Sequence, residues 1–489
     1  MKHIIAPLAL LATSLALSAQ AQTDPAPQAA TALETEQCYL KGISEQVQCG
    51  TLQVPENYEQ PDGQKIGIHF AVLPAISENK RPDPLLILAG GPGQAATDLA
   101  QMIDRIFTSV RQQRDILLID QRGTGKSNPL QCDMTHVEEL VKADDDIDLA
   151  QVARDCLAQY ENQHDLTQYH TVNAIRDFEA VRKALGYQQV NLYGGSYGSR
   201  AGLVYLREAP ESVRAAVLDA LAPVQVVVGP FGRHGAASFD KLLANCAASP
   251  ACSEAFPRLD ETYQQLMATL EQNPVPLTVR DPLTNEPVDI LLTAGRLSSV
   301  LRVGLYHPTT RQMLPFVIQR TAEGDYMPLM GLFGSTMAQS ELYMGLMLSV
   351  LCSEDLPRAT PELLAADGDN TFIGSRTGDA FVEMCSVWPT AERPASWFAP
   401  VVSATPTLLL SGELDPVTPV AWGNEAAATL SNSRHLVAPR GAHTIVGHTC
   451  ANKLAAQFIK DLDLDALDAS CLDQQQAQPF ILNSNGKGL

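Results

Sequence analysis

The sequence has little positive charge, no membrane-length apolar stretch and none of the paired spacings that hold metals. Lys and Arg number 34 against 55 Asp and Glu, a formal charge of −21. Nucleic acid and anionic lipid both need a basic face, so neither is an expected partner. After residue 21 no apolar run is long enough to span a bilayer, and stable membrane association is not expected. No cysteine follows the N-terminal apolar run, so a lipid anchor at a cleavage-site cysteine is not indicated. Neither C-x-x-C nor H-x-x-x-H occurs, which removes the common zinc spacings, and no metal site is expected. There is no internal repeat.

What is present begins with Met1-Lys2-His3, a short positive start. Residues 4–17 are almost uninterruptedly apolar, and Ala19-Gln20-Ala21 puts small residues where a signal peptidase reads them. This is the layout of a secretory signal peptide over 1–21, followed by a flexible leader over 22–37 rich in Ala, Pro, Thr and Gln. A buried N-terminal helix explains neither the charged start nor the cleavage site. Export to the periplasm or the medium would place the ten cysteines in an oxidising compartment, where an even count reads as disulfides. They fall in sequence as five neighbouring couples, and the expected pairs are Cys38–Cys49, Cys132–Cys156, Cys246–Cys252, Cys352–Cys385 and Cys450–Cys471.

From Leu85 onward short apolar runs alternate with amphipathic stretches, the rhythm of βαβ units and a mainly parallel, doubly wound sheet. Leu85-Leu86-Ile87-Leu88-Ala89 reads as a strand running into Gly90-Gly91-Pro92-Gly93. Asp115 to Asp120 reads as a second. Val172, Ile175, Phe178, Val181 and Leu185 lie on one helix face, with Gly186 as the stop. Strands follow at Val190 to Tyr193 and Val213 to Leu218. The rhythm breaks over 229–395, which reads as a mostly helical cap containing a Met- and Leu-rich run from 327 to 350. It returns at Pro406 to Gly412. The chain therefore reads as an α/β core in two parts, 38–228 and 396–489, interrupted by the cap.

Gly194-Gly195-Ser196-Tyr197-Gly198 matches G-x-S-x-G between a strand and a helix, the setting of a nucleophile elbow. Serine needs a base and a group to orient that base. In this chain order the acid comes next and the histidine last. Asp415, on the loop after the strand at 406–412, is the expected acid, with Glu413 its nearest competitor. His443, beside Gly441 and beyond the next strand, is the expected base, ahead of His448 and His435. Backbone N–H groups of Tyr197 and of the Gly90–Gly93 turn are the expected oxyanion donors. Gly125-Lys126-Ser127 imitates the end of a phosphate-binding loop, but Asp120 stands where that motif needs its first glycine.

Taken in order, these motifs resemble the secreted tripeptidyl/prolyl aminopeptidase family of α/β-hydrolases. The matching pieces are Gly90–Gly93, Asp120-Gln121-Arg122-Gly123-Thr124-Gly125, the helix from Thr171, Gly194–Gly198, Asp415-Pro416-Val417-Thr418-Pro419 and Gly441-Ala442-His443. They span the chain from about Cys38 to Cys471. The resemblance implies an α/β-hydrolase fold with a TAP-like C-terminal region. It implies a Ser196–Asp415–His443 triad, Gly91 as the second oxyanion donor, and removal of residues or short peptides from free N-termini without a cofactor. It also implies that Glu354, in Cys352-Ser353-Glu354-Asp355, meets the substrate ammonium. Many prolyl members have His before the Gly-Gly-Pro-Gly turn; Ala89 here points to the tripeptidyl-like branch. An esterase or amidase acting on small acyl compounds shares the triad chemistry and is the alternative. A non-catalytic binding protein on the same scaffold is disfavoured by an intact Ser, Asp and His.

Overall fold

The computed structural model describes residues 1, 33, 35–132, 140–280, 285–337 and 342–487. The signal peptide expected at 1–21, Met1 apart, and most of the leader expected at 22–37 lie outside the described residues.

Three strands, β1 (Thr35–Cys38), β2 (Val47–Pro55) and β3 (Lys65–Leu73), form an antiparallel edge. Then come β4 (Leu85–Leu88), β5 (Ile116–Ile119), β6 (Val190–Gly195) and β7 (Val213–Asp219). In the stretch after β7, β8 (Val275–Arg280) and β9 (Pro287–Leu292) make a separate antiparallel hairpin. β10 (Thr407–Gly412) and β11 (Ser433–Ala438) rejoin the main sheet, whose order is β1-β2-β3-β5-β4-β6-β7-β10-β11. Every pairing from β5 to β11 in that order is parallel. This is the α/β-hydrolase fold expected from the sequence.

The parallel strands are covered on both faces, which is why Leu-Leu-Ile-Leu and Ile-Leu-Leu-Ile read as unbroken apolar runs. Side chains still alternate. Leu86, Leu88, Leu192, Leu218 and Leu409 pack on one face beneath Ile175, Phe178 and Val181 of α1 (Thr171–Ala184) and Leu203 of α2 (Tyr197–Glu208). Leu85, Ile87, Tyr193, Val217, Leu408 and Leu410 pack on the other with Leu454 and Phe458 of the helix Ala451–Asp461. Each fully buried Leu or Ile contributes about 2 kcal/mol of burial free energy.

The residues between β7 and β10 are mainly helical, including α3 (Gly232–Ala248), α4 (Ala294–Gly304) and α5 (Met344–Glu354). The β8–β9 hairpin was not legible among them. Its first strand alternates half-buried Val275, Leu277 and Val279 with exposed Pro276, Thr278 and Arg280. That period-two signal is short and lies in a stretch whose other signals are helical. The Met- and Leu-rich run supplies the helix Met327–Met337 and α5, with 338–341 outside the described residues. Disulfides join Cys38–Cys49, Cys132–Cys156, Cys246–Cys252, Cys352–Cys385 and Cys450–Cys471, each cysteine with its neighbour in sequence. Among the described residues no helix is long and apolar enough to cross a membrane.

Candidate active site

β6 ends at Gly195 and α2 begins at Tyr197, so Ser196 makes the reversal alone. Its φ of 58° and ψ of −125° are unfavourable for a residue with a side chain, at a cost of about 1–3 kcal/mol. Neighbours hold it there: Ser196 N–H donates to the Asp219 carbonyl at 2.9 Å, and Ser199 Oγ donates to the Ser196 carbonyl at 2.6 Å. The flanking glycines are required by contact. A Cβ on Gly194 would strike the Gly198 carbonyl, and one on Gly198 would strike the Leu88 carbonyl. Only bare backbone lets the helix start this close to β4 and β6.

Asp415 follows β10 and is fixed by the turn it belongs to. Its Oδ1 accepts from the N–H groups of Val417 and Thr418 at 2.8 and 2.9 Å. Its Oδ2 accepts from Thr418 Oγ1 at 2.7 Å and meets His443 Nδ1 at 2.8 Å. Burial opposes the charge on both partners, and their mutual attraction overcomes it. His443 and Thr418 hold Asp415 below the usual carboxylate range, while Asp415 holds His443 above the usual imidazole value. With Nδ1 engaged by Asp415, Nε2 is the nitrogen left to exchange a proton.

The competitors are disposed of elsewhere. Glu413 is exposed. His435 lies in β11, bonded to Asn424 and Ser411. His448 Nε2 accepts from the Ala442 N–H at 3.1 Å, and burial drives that imidazole down to about 4.

Ser196, Tyr197 and His443 line one cavity of about 490 Å³ together with Gly91. Ser196 and His443 have no direct hydrogen bond, a common condition of such pairs before substrate binds. Gly91, with φ of 102°, and Tyr197 bring backbone N–H groups to this wall, and among the described residues neither has a protein acceptor. The segment 120–127 braces the loop beside them. Asp120 accepts from Thr97 and from the Lys126 N–H, so its carboxylate fills the hollow a phosphate would need.

Glu354, expected to meet the substrate ammonium, is not among the residues lining this cavity. It is fully buried, and its oxygens accept from the Thr171 N–H and Oγ1, each at 2.8 Å, with Tyr197 Oη bonded to the same threonine. Both oxygens are engaged inside the protein, and the side chain is sealed from the cavity. The neighbouring carboxylate, Asp355, is the one on the cavity wall, and Arg200 Nη1 holds it at 2.6 and 2.7 Å.

Three residues escaped sequence reasoning. Thr418 lies inside the Asp-Pro-Val-Thr-Pro motif, where the sequence marks the acid and not the threonine that supports it. Asp219, at the end of β7, is fully buried and accepts from the N–H groups of Ile445 and Val446, both at 3.0 Å, which anchors the loop after His443. Burial raises its carboxyl to about 6. Tyr306 follows α4, and nothing local marks it.

Residues 83–268 match the family described as alpha/beta hydrolase fold, and residues 370–471 match the TAP-like protein family. Serine protease Hip1 of Mycobacterium tuberculosis is 25% identical over 460 residues, covering 84% of each chain. Carboxylesterase B of the same organism is 27% identical over 497 residues, 92% of each chain. The tripeptidyl aminopeptidase of Streptomyces coelicolor is 22% identical over 467 residues, 88% of this chain and 84% of that one.

Proposed function

Because the chain belongs to the TAP-like group of α/β-hydrolases and is a serine hydrolase, we propose that it is an exported aminopeptidase. It would release residues or short peptides from free N-termini through an acyl-enzyme. The observation that carries this reading is the Asp415–His443 contact at 2.8 Å, beside a strained Ser196 on the same cavity.

In this mechanism His443 Nε2 takes the Ser196 proton as Oγ attacks the scissile carbonyl. The oxyanion is met by the N–H groups of Gly91 and Tyr197. The imidazolium, steadied by Asp415, returns its proton to the leaving nitrogen as the C–N bond breaks. A water molecule then repeats the sequence on the acyl-serine, and Ser196 leaves with its proton restored. The chemistry needs no metal or organic cofactor.

A peptide end suits the cavity better than mid-chain peptide does. Its volume is in the range of a small-ligand site, and Phe231, Tyr306 and Leu351 from the 229–395 segment line it. Asp355 is the carboxylate on the cavity wall, with both oxygens held by Arg200 and Oδ1 also by the Val228 N–H. Five disulfides support export. Esterase action is the second reading, favoured by the likeness to a carboxylesterase.

The test is a panel of free and N-acetylated peptide amides beside p-nitrophenyl esters. Preference for free amines supports the aminopeptidase. Turnover of esters alone supports the alternative.

A further inference from the structure

Arg302 stands in the cavity wall with almost nothing to bind. It lies in α4 and is half-buried. Among the described residues its one side-chain hydrogen bond runs from Nη1 to Tyr306 Oη at 3.0 Å, and its Nε is sealed from solvent without a partner. The guanidinium lies over the rings of Phe231 and Tyr306, 5.5 and 5.8 Å from their centroids. Among the described residues no carboxylate pairs with it. Asp355, the acid on the same wall, is bound by Arg200 and lies 3.8 Å from Arg358.

A guanidinium carries five donors in a planar fork that matches a carboxylate, and it cannot shed its charge. Aromatic faces stabilise the cation but satisfy none of its in-plane N–H groups. Arg122 and Arg200, by contrast, are buried with Asp177 and Asp355 as partners. Arg302 stands in the cavity wall with no such carboxylate among the described residues. It also lies close to the chemistry, because Tyr306, to which it is bonded, packs its ring 5.0 Å from the His443 ring.

We propose that Arg302 receives a carboxylate of the substrate, so that the cavity selects anionic peptides over neutral ones. This rests on the hydrolase reading of the same cavity. Two sources share that chemistry: an acidic side chain in the acyl portion, or the free C-terminal carboxylate of a short leaving peptide.

The experiment compares matched substrates on the full chain. One arm sets Glu against Gln in the acyl portion of a peptide amide. The other sets a short peptide acid against its C-terminal amide. The wild-type enzyme is expected to favour the carboxylate in one arm by about ten- to a hundredfold in kcat/KM, the size of a charge-assisted hydrogen bond. Arg302→Met is expected to bring that ratio to about one, and Arg302→Lys to restore part of it. The arm that responds identifies the source.

Equal rates for acid and neutral partners in both arms of the wild type overturn the proposal without any variant. So does a preference that survives Arg302→Met. Hydrolysis of p-nitrophenyl acetate, blocked by a fluorophosphonate, reports separately on the hydrolase itself. If no peptide is turned over, calorimetric binding of the same pairs to Ser196→Ala decides the question, and equal affinities refute the assignment.

Discussion

Tyr306 holds His443 twice: its carbonyl accepts the His443 N–H at 3.0 Å, and its ring meets the imidazole at 5.0 Å and 64°. The residue that sets the proposed base therefore comes from the 229–395 segment, not from the sheet that carries Ser196. Tyr306→Ala keeps the main-chain bond but removes the ring, freeing the imidazole to tilt. Its kcat/KM on a neutral ester is expected to fall about tenfold or more, because small misplacements of a catalytic group are costly. Circular dichroism should be unchanged. Activity equal to wild type would show that Asp415 alone orients the ring.

Thr418 is the second support. Its hydroxyl donates to Asp415 Oδ2 and sits 3.3 Å from His443 Nδ1. Thr418→Val keeps the shape and removes the donor, leaving a buried carboxylate with one bond fewer, a loss of about 1.5–3 kcal/mol for a charged acceptor. Steady-state kinetics should show kcat lowered about tenfold or more with KM little changed. A change confined to KM would move Thr418 from positioning the acid to binding substrate.

The pH profile follows from the same pair. Asp415 raises the His443 pKa in the folded protein, and only the neutral imidazole can take the serine proton. The acid limb of kcat/KM should therefore have its midpoint above the ordinary histidine value of about 6.5. Asp415→Asn removes the charge that raises it, so the limb should move to lower pH while the plateau falls. A limb that does not move would mean that His443 is not the titrating base.

The parts of this site that were legible are those whose chemistry is local. Gly194 and Gly198 flank Ser196 because helix and strand cannot otherwise meet there, and that constraint is written in five consecutive residues. Buried parallel strands such as β4, β5 and β10 read as apolar runs for the same reason. Asp219 gave no signal, because its partners Ile445 and Val446 lie in a distant part of the chain. Glu354 and Asp355 are adjacent and chemically alike. Which of them reaches the cavity depends on how α5 is rotated, and two neighbouring carboxylates do not reveal that.

Glu354 has its own signature in stability. Burial lifts its carboxyl from 4.5 to about 7. Between those values the folded protein keeps a proton that the unfolded chain has lost, so stability falls as pH rises through that window. Gln at this position has no proton to lose. The melting temperature of Glu354→Gln relative to wild type should therefore rise between pH 5 and 8, by the equivalent of up to about 3 kcal/mol. A pH-independent difference would mean that the Thr171 bonds keep the carboxylate ionised throughout.

The most direct test of the account is covalent. The full chain is treated with a fluorophosphonate, digested and mapped by mass spectrometry, with Ser196→Ala and His443→Ala alongside. One phosphonyl group on the peptide containing Ser196 is expected. Labelling should be absent in Ser196→Ala and slowed by about a thousandfold or more in His443→Ala. A label on another residue, or undiminished labelling of Ser196→Ala, would contradict Ser196 as the nucleophile.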